Sequence, residues 1–562
     1  MPFSERFARL AFSTGALALV LAAHAETAAI PESVRHVADT YITRTALEAP
    51  IRFLSSDLLE GRGPGTRGDE VARLYLQTRL EAMGYQPGFP NGAWQQPVEL
   101  VHIKSAVPAS WSFQAKGGRV DLKLTDDYSA ASGLQTQRVT VPDAELVFVG
   151  YGIQAPEERW DDFKGAKLTG KILVMMNNNP DWDPHLFAGK RRLYYGRWTY
   201  KFESAARQGA VGAIIIHTTP SAGYPWQVVQ DTSEYFELPA GDEPRLRLKA
   251  WMTEDAVRRV LKAGGYDLDR LVASARSRAF KPVPLGIRTS IDFSNNLSTI
   301  RTANVGGLLP GSDPQLTKQL VVLSAHHDHL GIGKPDATGD RIYHGAVDNA
   351  LGCAQVLAAA QTFAALPQHT RRSLLVLFVA AEEQQYLGSK YYAEHPSVAA
   401  GRIAADVNLE GAFDRAIFGR THDATLIGMG KSSLDEIAES VASLQGRTVR
   451  PDQFPDRGYF YRSDQFSFAR IGIPVLNFGE GTEVVGRPAD WGRQQVEAWE
   501  KQKYHQPADK LDGSWNFDGV IEDAQLAMLS AWLIAQADTM PSWNPGDEFA
   551  AARKRALAEV GP

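Results

Sequence analysis

Apolar positions along the chain fall into two kinds of run. Short uninterrupted ones at Leu320 to Ala325, Leu374 to Ala380, Ile403 to Leu409 and Pro474 to Phe478 predict strands buried on both faces. Between and beyond them, Ala350 to Phe363, Gln385 to Ala393, Ser433 to Leu444 and Ile521 to Ala535 read as helices. Strand then helix, repeated, is the order of a doubly wound α/β sheet. Upstream lies a smaller β/α unit: strands at Leu146 to Gly152 and Lys171 to Met176, a helix at Tyr200 to Gln208 stopped by Gly209, a strand at Val211 to Ile216 and a helix at Thr253 to Ala263. The proline-containing segment Phe280 to Pro284 closes it. Residues 94 to 140 alternate polar and apolar and predict small peripheral antiparallel strands. Residues 34 to 88 predict helices interrupted by the turn-rich rim segment Gly61 to Gly68.

The first residues bear on compartment. Arg6 and Arg9 precede an apolar run from Leu10 to Ala22, and Ala23-His24-Ala25 offers the small residues a signal peptidase requires. Cleavage after Ala25 and a periplasmic or secreted product are expected. The run is too short for a spanning helix, so no stable membrane insertion is expected. The division that follows is a signal peptide at 1–25, an N-terminal part of the main domain at 26–139, an inserted domain at 140–285, a catalytic domain at 286–545 and a C-terminal tail at 546–562.

Composition narrows the class. With 44% hydrophobic residues in 562, the chain can bury sizeable cores and is not disordered. A net charge of −6, with 59 basic against 65 acidic residues and no basic run, gives nucleic acid no footing. The one cysteine, Cys353, precludes an intrachain disulfide, so an exported chain must rely on its core. Cys353 is expected to pack in its helix.

Candidate chemistry sits where the predicted strands end. The first runs into His326-His327-Asp328-His329; alternation places His326 and Asp328 on one face, and such a pair can hand a ligand imidazole's second N–H to a carboxylate. A surface histidine turn would read the same. Gly345 to Gly352 carries Asp348 and Asn349 before an apolar helix, where either residue could simply be its cap. Leu374 to Ala381 ends in Glu382-Glu383, a pair that also suits a helix N-terminus. The fourth strand delivers Asp406, Asn408 and Glu410, and His505 follows near the C-terminus. Together these are five groups of metal-type donors, almost all at the ends of predicted strands of one sheet.

In that order the segments Ala325 to Gly331, Gly345 to Asn349, Ala380 to Glu383, Asn408 to Gly411, Ser463 to Phe466, Gly472 to Pro474 and Tyr504-His505 resemble the zinc aminopeptidases of the M28 metallopeptidase family. The likeness is to the subset with an inserted protease-associated domain, and Gly196 to Tyr200 and Leu59 to Gly63 resemble it more loosely. It implies a mixed sheet of the zinc-dependent exopeptidase type. It also implies two Zn²⁺ ions, with Co²⁺ or Mn²⁺ as alternatives: Asp348 bridging them, His326 and Glu410 on one, Glu383 and His505 on the other. Glu382 would be the general base, Asp328 would orient His326, and Tyr504 would stabilise the oxyanion. The family most often has Asp where Glu410 stands, and Asp406 is the fallback ligand.

Peptides are the implied substrates, cut at the first peptide bond, with Arg462 a candidate to receive a short peptide's carboxylate. A carboxypeptidase or dipeptidase on the same scaffold, a glutaminyl cyclase-like transferase and a non-catalytic peptide-binding protein remain alternatives. Oligomeric state is left open. The inserted domain reads as a lid or specificity element.

Overall fold

The computed structural model describes residues 29–561, and the expected signal peptide lies outside the described residues. The predicted buried strands form the middle of a mixed sheet: Ser373–Val379, Leu320–His326, Ile403–Asn408 and Val475–Gly479 lie side by side in that order, all parallel. Val305–Leu309 pairs antiparallel on one flank, and Thr425–Leu426 pairs antiparallel on the other. Helices including Gly352–Ala365 and Phe517–Gln536 cover the sheet, which is why its central strands carry no polar face. The chain passes from Leu320–His326 to the neighbour on one side, Ser373–Val379, and then to the neighbour on the other, Ile403–Asn408. A topological switch point results, and the crevice at the carboxyl ends of such strands is where open α/β sheets bind ligands.

A second core, running from Trp111 to Phe293, packs around the parallel strands Arg138–Phe148, Ile172–Met176, Gly212–His217 and Leu248–Thr253. This lobe begins earlier than the expected boundary at 140, because Ser110–Ala115 and Tyr128–Ser132 pair into its sheet. Nor does it end in a linker. Val283–Leu309 is one 27-residue strand; it alternates buried and exposed positions from Leu285 to Asn295 and is almost continuously buried from Thr302 to Leu309. The alternating half pairs with Arg138–Phe148 in the second lobe, and the buried half enters the main sheet. Gln95–Ala106, expected to be peripheral, pairs along the middle of the same strand and stiffens the junction.

The expected C-terminal tail, 546–562, is helical over most of its length. Ala550–Val560 is a helix, and its buried Arg553 donates from Nη1 to Ile403 O at 2.9 Å and from Nη2 to Pro541 O at 3.2 Å. Among the described residues, no helix is long and apolar enough to cross a membrane.

Candidate metal centre

Three strand ends and two loops converge at the switch point. His326 ends Leu320–His326; Glu382 and Glu383 follow Ser373–Val379, after a turn at Ala381 with φ 54°. Glu410 follows Ile403–Asn408 by two residues. His505 lies between the helices Trp491–Gln502 and Phe517–Gln536.

Asp348 and its neighbour divide the two roles open in the sequence. Asn349 Oδ1 accepts from Gly352 N at 3.0 Å and Gly411 N at 2.9 Å, and its Nδ2 donates to Leu409 O at 3.0 Å. Asn349 therefore caps and ties down the helix start. A Cβ at Gly352 would come within 2.2 Å of Asn349 Oδ1 and 2.3 Å of Leu409 O, so glycine is required for this close approach. Asp509 accepts from Val347 N and Asp348 N, each at 3.0 Å. With its backbone held from behind, the Asp348 carboxylate is left to face the crevice.

Its two oxygens face different partners. Oδ1 lies 3.3 Å from His326 Nε2, which is also 3.3 Å from Glu410 Oε2. Oδ2 lies 3.3 Å from His505 Nε2, itself 3.0 Å from Glu383 Oε2. Ligand atoms about 2.0–2.1 Å from a tetrahedral ion stand about 3.3 Å apart, so both sets have the spacing of donors around a shared cation. His326 Nε2 is buried with no hydrogen-bond partner, an orphan that a cation would satisfy. The donors are nitrogen and oxygen without thiolate, a set that zinc, cobalt or manganese accepts.

The electrostatics are those of a cation site. Burial opposes protonation of His326, yet Glu410, Glu382 and Asp348 outweigh it and lift the imidazole well above its ordinary range. His505 is lifted in the same way against burial, chiefly by Glu383. Burial pushes Glu382 well above the usual carboxylate range, with Glu410, Asp464 and Glu383 adding to it against His326.

The remaining expected residues are placed as follows. Glu410 occupies its position despite the extra methylene: Oε2 accepts from the Ser463 hydroxyl at 2.6 Å and Oε1 from Ala412 N at 3.1 Å. Asp406 lies outside the donor sets that could hold an ion, and its Oδ1 accepts from the Ser324 hydroxyl at 2.7 Å. Asp328 is placed otherwise than expected. His326 Nδ1 is 3.2 Å from Asp328's backbone carbonyl but 3.8 Å from its carboxylate, and that carboxylate instead accepts from Glu382 N at 3.0 Å. Tyr504 stacks on His505 with ring centroids 3.8 Å apart.

Arg462 lies over the Tyr459 ring at 5.4 Å. Among the described residues it makes no ion pair, the neighbouring Glu500 pairing instead with Arg415 and Arg457. It lines a cavity of about 1120 Å³ between the lobes, together with Arg197, Tyr224, Tyr386, Tyr504 and His505. Cys353 is buried, as expected, and its thiol donates to His326 O at 3.1 Å.

Several supporting residues escaped the sequence reading. Arg62, in the supposed rim loop, is fully buried and donates to the carbonyls of His327 at 2.8 Å, His344 at 2.7 Å, Gly345 at 2.9 Å and Leu54. It braces the ligand loops from beneath. His327 Nε2 donates to Asp69 at 3.0 Å, and Asp464 is buried with both oxygens unpartnered. The only local signals for these were the Gly-rich loop and the Ser463 to Phe466 segment.

The donors at the carboxyl edge of this doubly wound sheet could hold metal ions. Residues 304–529 match the model of peptidase family M28. An aminopeptidase from Aneurinibacillus sp. strain AM-1 has a similar structure, with a TM-score of 0.51 at 20% identity, covering 90% of this chain and 97% of that one. A zinc aminopeptidase from Bacillus subtilis gives a TM-score of 0.41 at 16% identity, covering 89% and 95%. A vacuolar membrane protease of Verticillium alfalfae is 29% identical over 103 residues; the match spans 18% of this chain and only 9% of that protein. The family match spans about two fifths of the chain, including the main sheet and the donor residues around it, and the likeness to the Aneurinibacillus aminopeptidase shows the fold.

Proposed function

We propose that the protein is an exported aminopeptidase that holds two zinc ions and cuts the first peptide bond of peptides. The observation that carries this reading is the division of Asp348: one oxygen sits with His326 and Glu410, the other with His505 and Glu383. The names of the similar aminopeptidases point the same way. Paired zinc ions would lower the pKa of a water and polarise the scissile carbonyl. Glu382, tethered at its backbone by Asp328 and partly open to the crevice, takes the water's proton and passes it to the leaving amine. Tyr504, held by its stack on His505, donates its hydroxyl to the developing oxyanion. The carboxylates already named at the centre receive the peptide's free amino group.

Arg462 receives the carboxylate of a short peptide, and the second lobe, read as a protease-associated insert, forms the facing wall. The unpaired Arg462 also favours a second reading, a dipeptidase or carboxypeptidase on this scaffold. A panel of free, N-blocked and C-amidated peptides, assayed with metal-stripped and zinc-restored protein, separates them. An aminopeptidase cuts free and C-amidated peptides after zinc is restored and leaves N-blocked ones whole. Cleavage of N-blocked peptides, or rejection of every C-amidated one, would overturn the proposal.

A further inference from the structure

The cavity between the lobes reaches well beyond the donor cluster. Its volume of about 1120 Å³ exceeds the roughly 300–1,000 Å³ of one small-molecule site, and its wall in the second lobe is apolar. Trp198 and Phe202, one turn apart on the helix Trp198–Arg207, meet edge to face with ring centroids 6.1 Å apart. Trp251 and Tyr224 pack into the same cluster. Val228 lines the cavity with these four rings and is 60% exposed. A lone exposed valine needs no explanation; one that completes an aromatic wall leaves an apolar surface open to a ligand.

Charge beside this wall is largely matched already. Glu203 pairs with Arg470 at 3.3 Å and with Arg207 at 3.5 Å, and Glu237 pairs with Arg245 and Lys249. Asp231 and Glu243 also line the cavity, but both are exposed and stay hydrated. A charged side chain seated against the rings would therefore lose water for little return.

Two guanidinium groups decide which part of a peptide reaches the rings. Arg197 immediately precedes Trp198, and its Nε is buried with no hydrogen-bond partner. Burial raises the Tyr224 hydroxyl above its ordinary range while Arg197, Arg192 and Arg462 oppose the rise, so the ring stands beside both Arg197 and Arg462. The same cavity holds Tyr504 and His505. A carboxylate accepted by Arg197 and Arg462 belongs to a peptide's last residue, and the side chain on the same Cα then lies within reach of Trp198 and Tyr224.

We propose that Trp198, Phe202, Tyr224, Val228 and Trp251 form an apolar subsite for the side chain of the C-terminal residue, and that the substrates are short peptides, dipeptides foremost, ending in a large apolar or aromatic residue. The inference rests on the proposed peptidase reading and on a carboxylate lying between Arg197 and Arg462, but not on the number of metal ions.

The test measures kcat and KM of zinc-restored wild type, Val228→Asp and Val228→Ile on Ala-Ala, Ala-Leu, Ala-Phe, Ala-Asp and Ala-Lys. In wild type, KM for Ala-Leu and Ala-Phe is expected below that for Ala-Ala by about tenfold or more, with no gain for Ala-Asp or Ala-Lys. Val228→Asp should cut the advantage of Ala-Phe over Ala-Ala to about threefold or less, and Val228→Ile should keep it; a defect of folding alone would leave that ratio in place. Should Val228→Asp fail to fold, Trp198→Ala carries the same prediction. Equal KM values for Ala-Phe and Ala-Ala in wild type, a better KM for the charged dipeptides, or an advantage that survives Val228→Asp would overturn the proposal. Cleavage of longer peptides with no dipeptide cut overturns this inference alone, whereas a protein that cuts no peptide refutes the peptidase reading as well.

Discussion

At the scale of single residues, the centre divides its carboxylates by environment. Glu383, Asp348 and Glu410 each have an oxygen within 3.3 Å of an imidazole, whereas Glu382 is near them without pairing to either histidine. That arrangement suits a proton carrier beside a set of ligands. Glu382→Gln should therefore lower kcat by about 100-fold or more, with zinc content and KM little altered; steady-state kinetics with metal analysis checks this, and undiminished turnover would remove the residue from the reaction. The imidazoles give a second expectation. Carboxylates lift His326 and His505 well above the ordinary histidine range despite burial, so each must lose a proton before it can ligate. Zinc uptake should release protons and tighten as pH rises from 6 to 8, which calorimetry in buffers of different ionisation enthalpy measures directly.

At the scale of elements, the loop before Gly352–Ala365 is set by two residues that touch no cation position. Asp509 holds the Val347 and Asp348 amides, and Asn349 ties the loop to residues 409–411. Asp509→Ala strands buried donors at a cost of about 1–3 kcal/mol each. On the proposed two-zinc reading Asp348 is shared, so zinc should weaken at both positions together; metal titration and denaturant melts test this. The same contrast explains what was legible in the sequence. The buried strands and the helix at Gly352–Ala365 were readable because continuous apolar runs report burial on both faces, and the candidate donors His326, Glu382, Glu383 and Glu410 were readable because they follow the strand runs closely, whereas Asp348 and His505, in loops, stood out only through the order of the segments. Arg62, Asp69 and Asp509 were not. Their roles come from partners hundreds of positions away, as with Arg62 and Gly345 or Asp69 and His327, and no local pattern encodes such a pairing. Val283–Leu309 was hidden for another reason: its period changes midway from alternating to continuous as it passes between cores, so prolines at its start read as a boundary.

At the scale of the whole molecule, that strand and Gln95–Ala106 fix the second lobe against the main sheet, and the cavity between the lobes is lined from both. Arg197 comes from the second lobe and Arg462 from the main one. Neither has an acidic partner among the described residues; Arg462 helps depress the buried Arg197 after burial itself, which is the larger cause. Two guanidinium groups facing one cavity, with Arg462 beside Tyr504 and hence next to His505, are relieved by an anion, and a short peptide supplies one at its C-terminus. Arg462→Gln should then raise KM for a dipeptide by about tenfold or more, the loss of a hydrogen bond to a charged group being about 1.5–3 kcal/mol. The C-amidated dipeptide and longer peptides, whose carboxylate lies elsewhere, should change by less than about threefold. Equal losses for the free acid and the amide would mean that Arg462 shapes the wall without reading the charge. A matching selective loss in Arg197→Gln would show that both lobes grip the same end of the peptide, since only a carboxylate seated between them is felt by both.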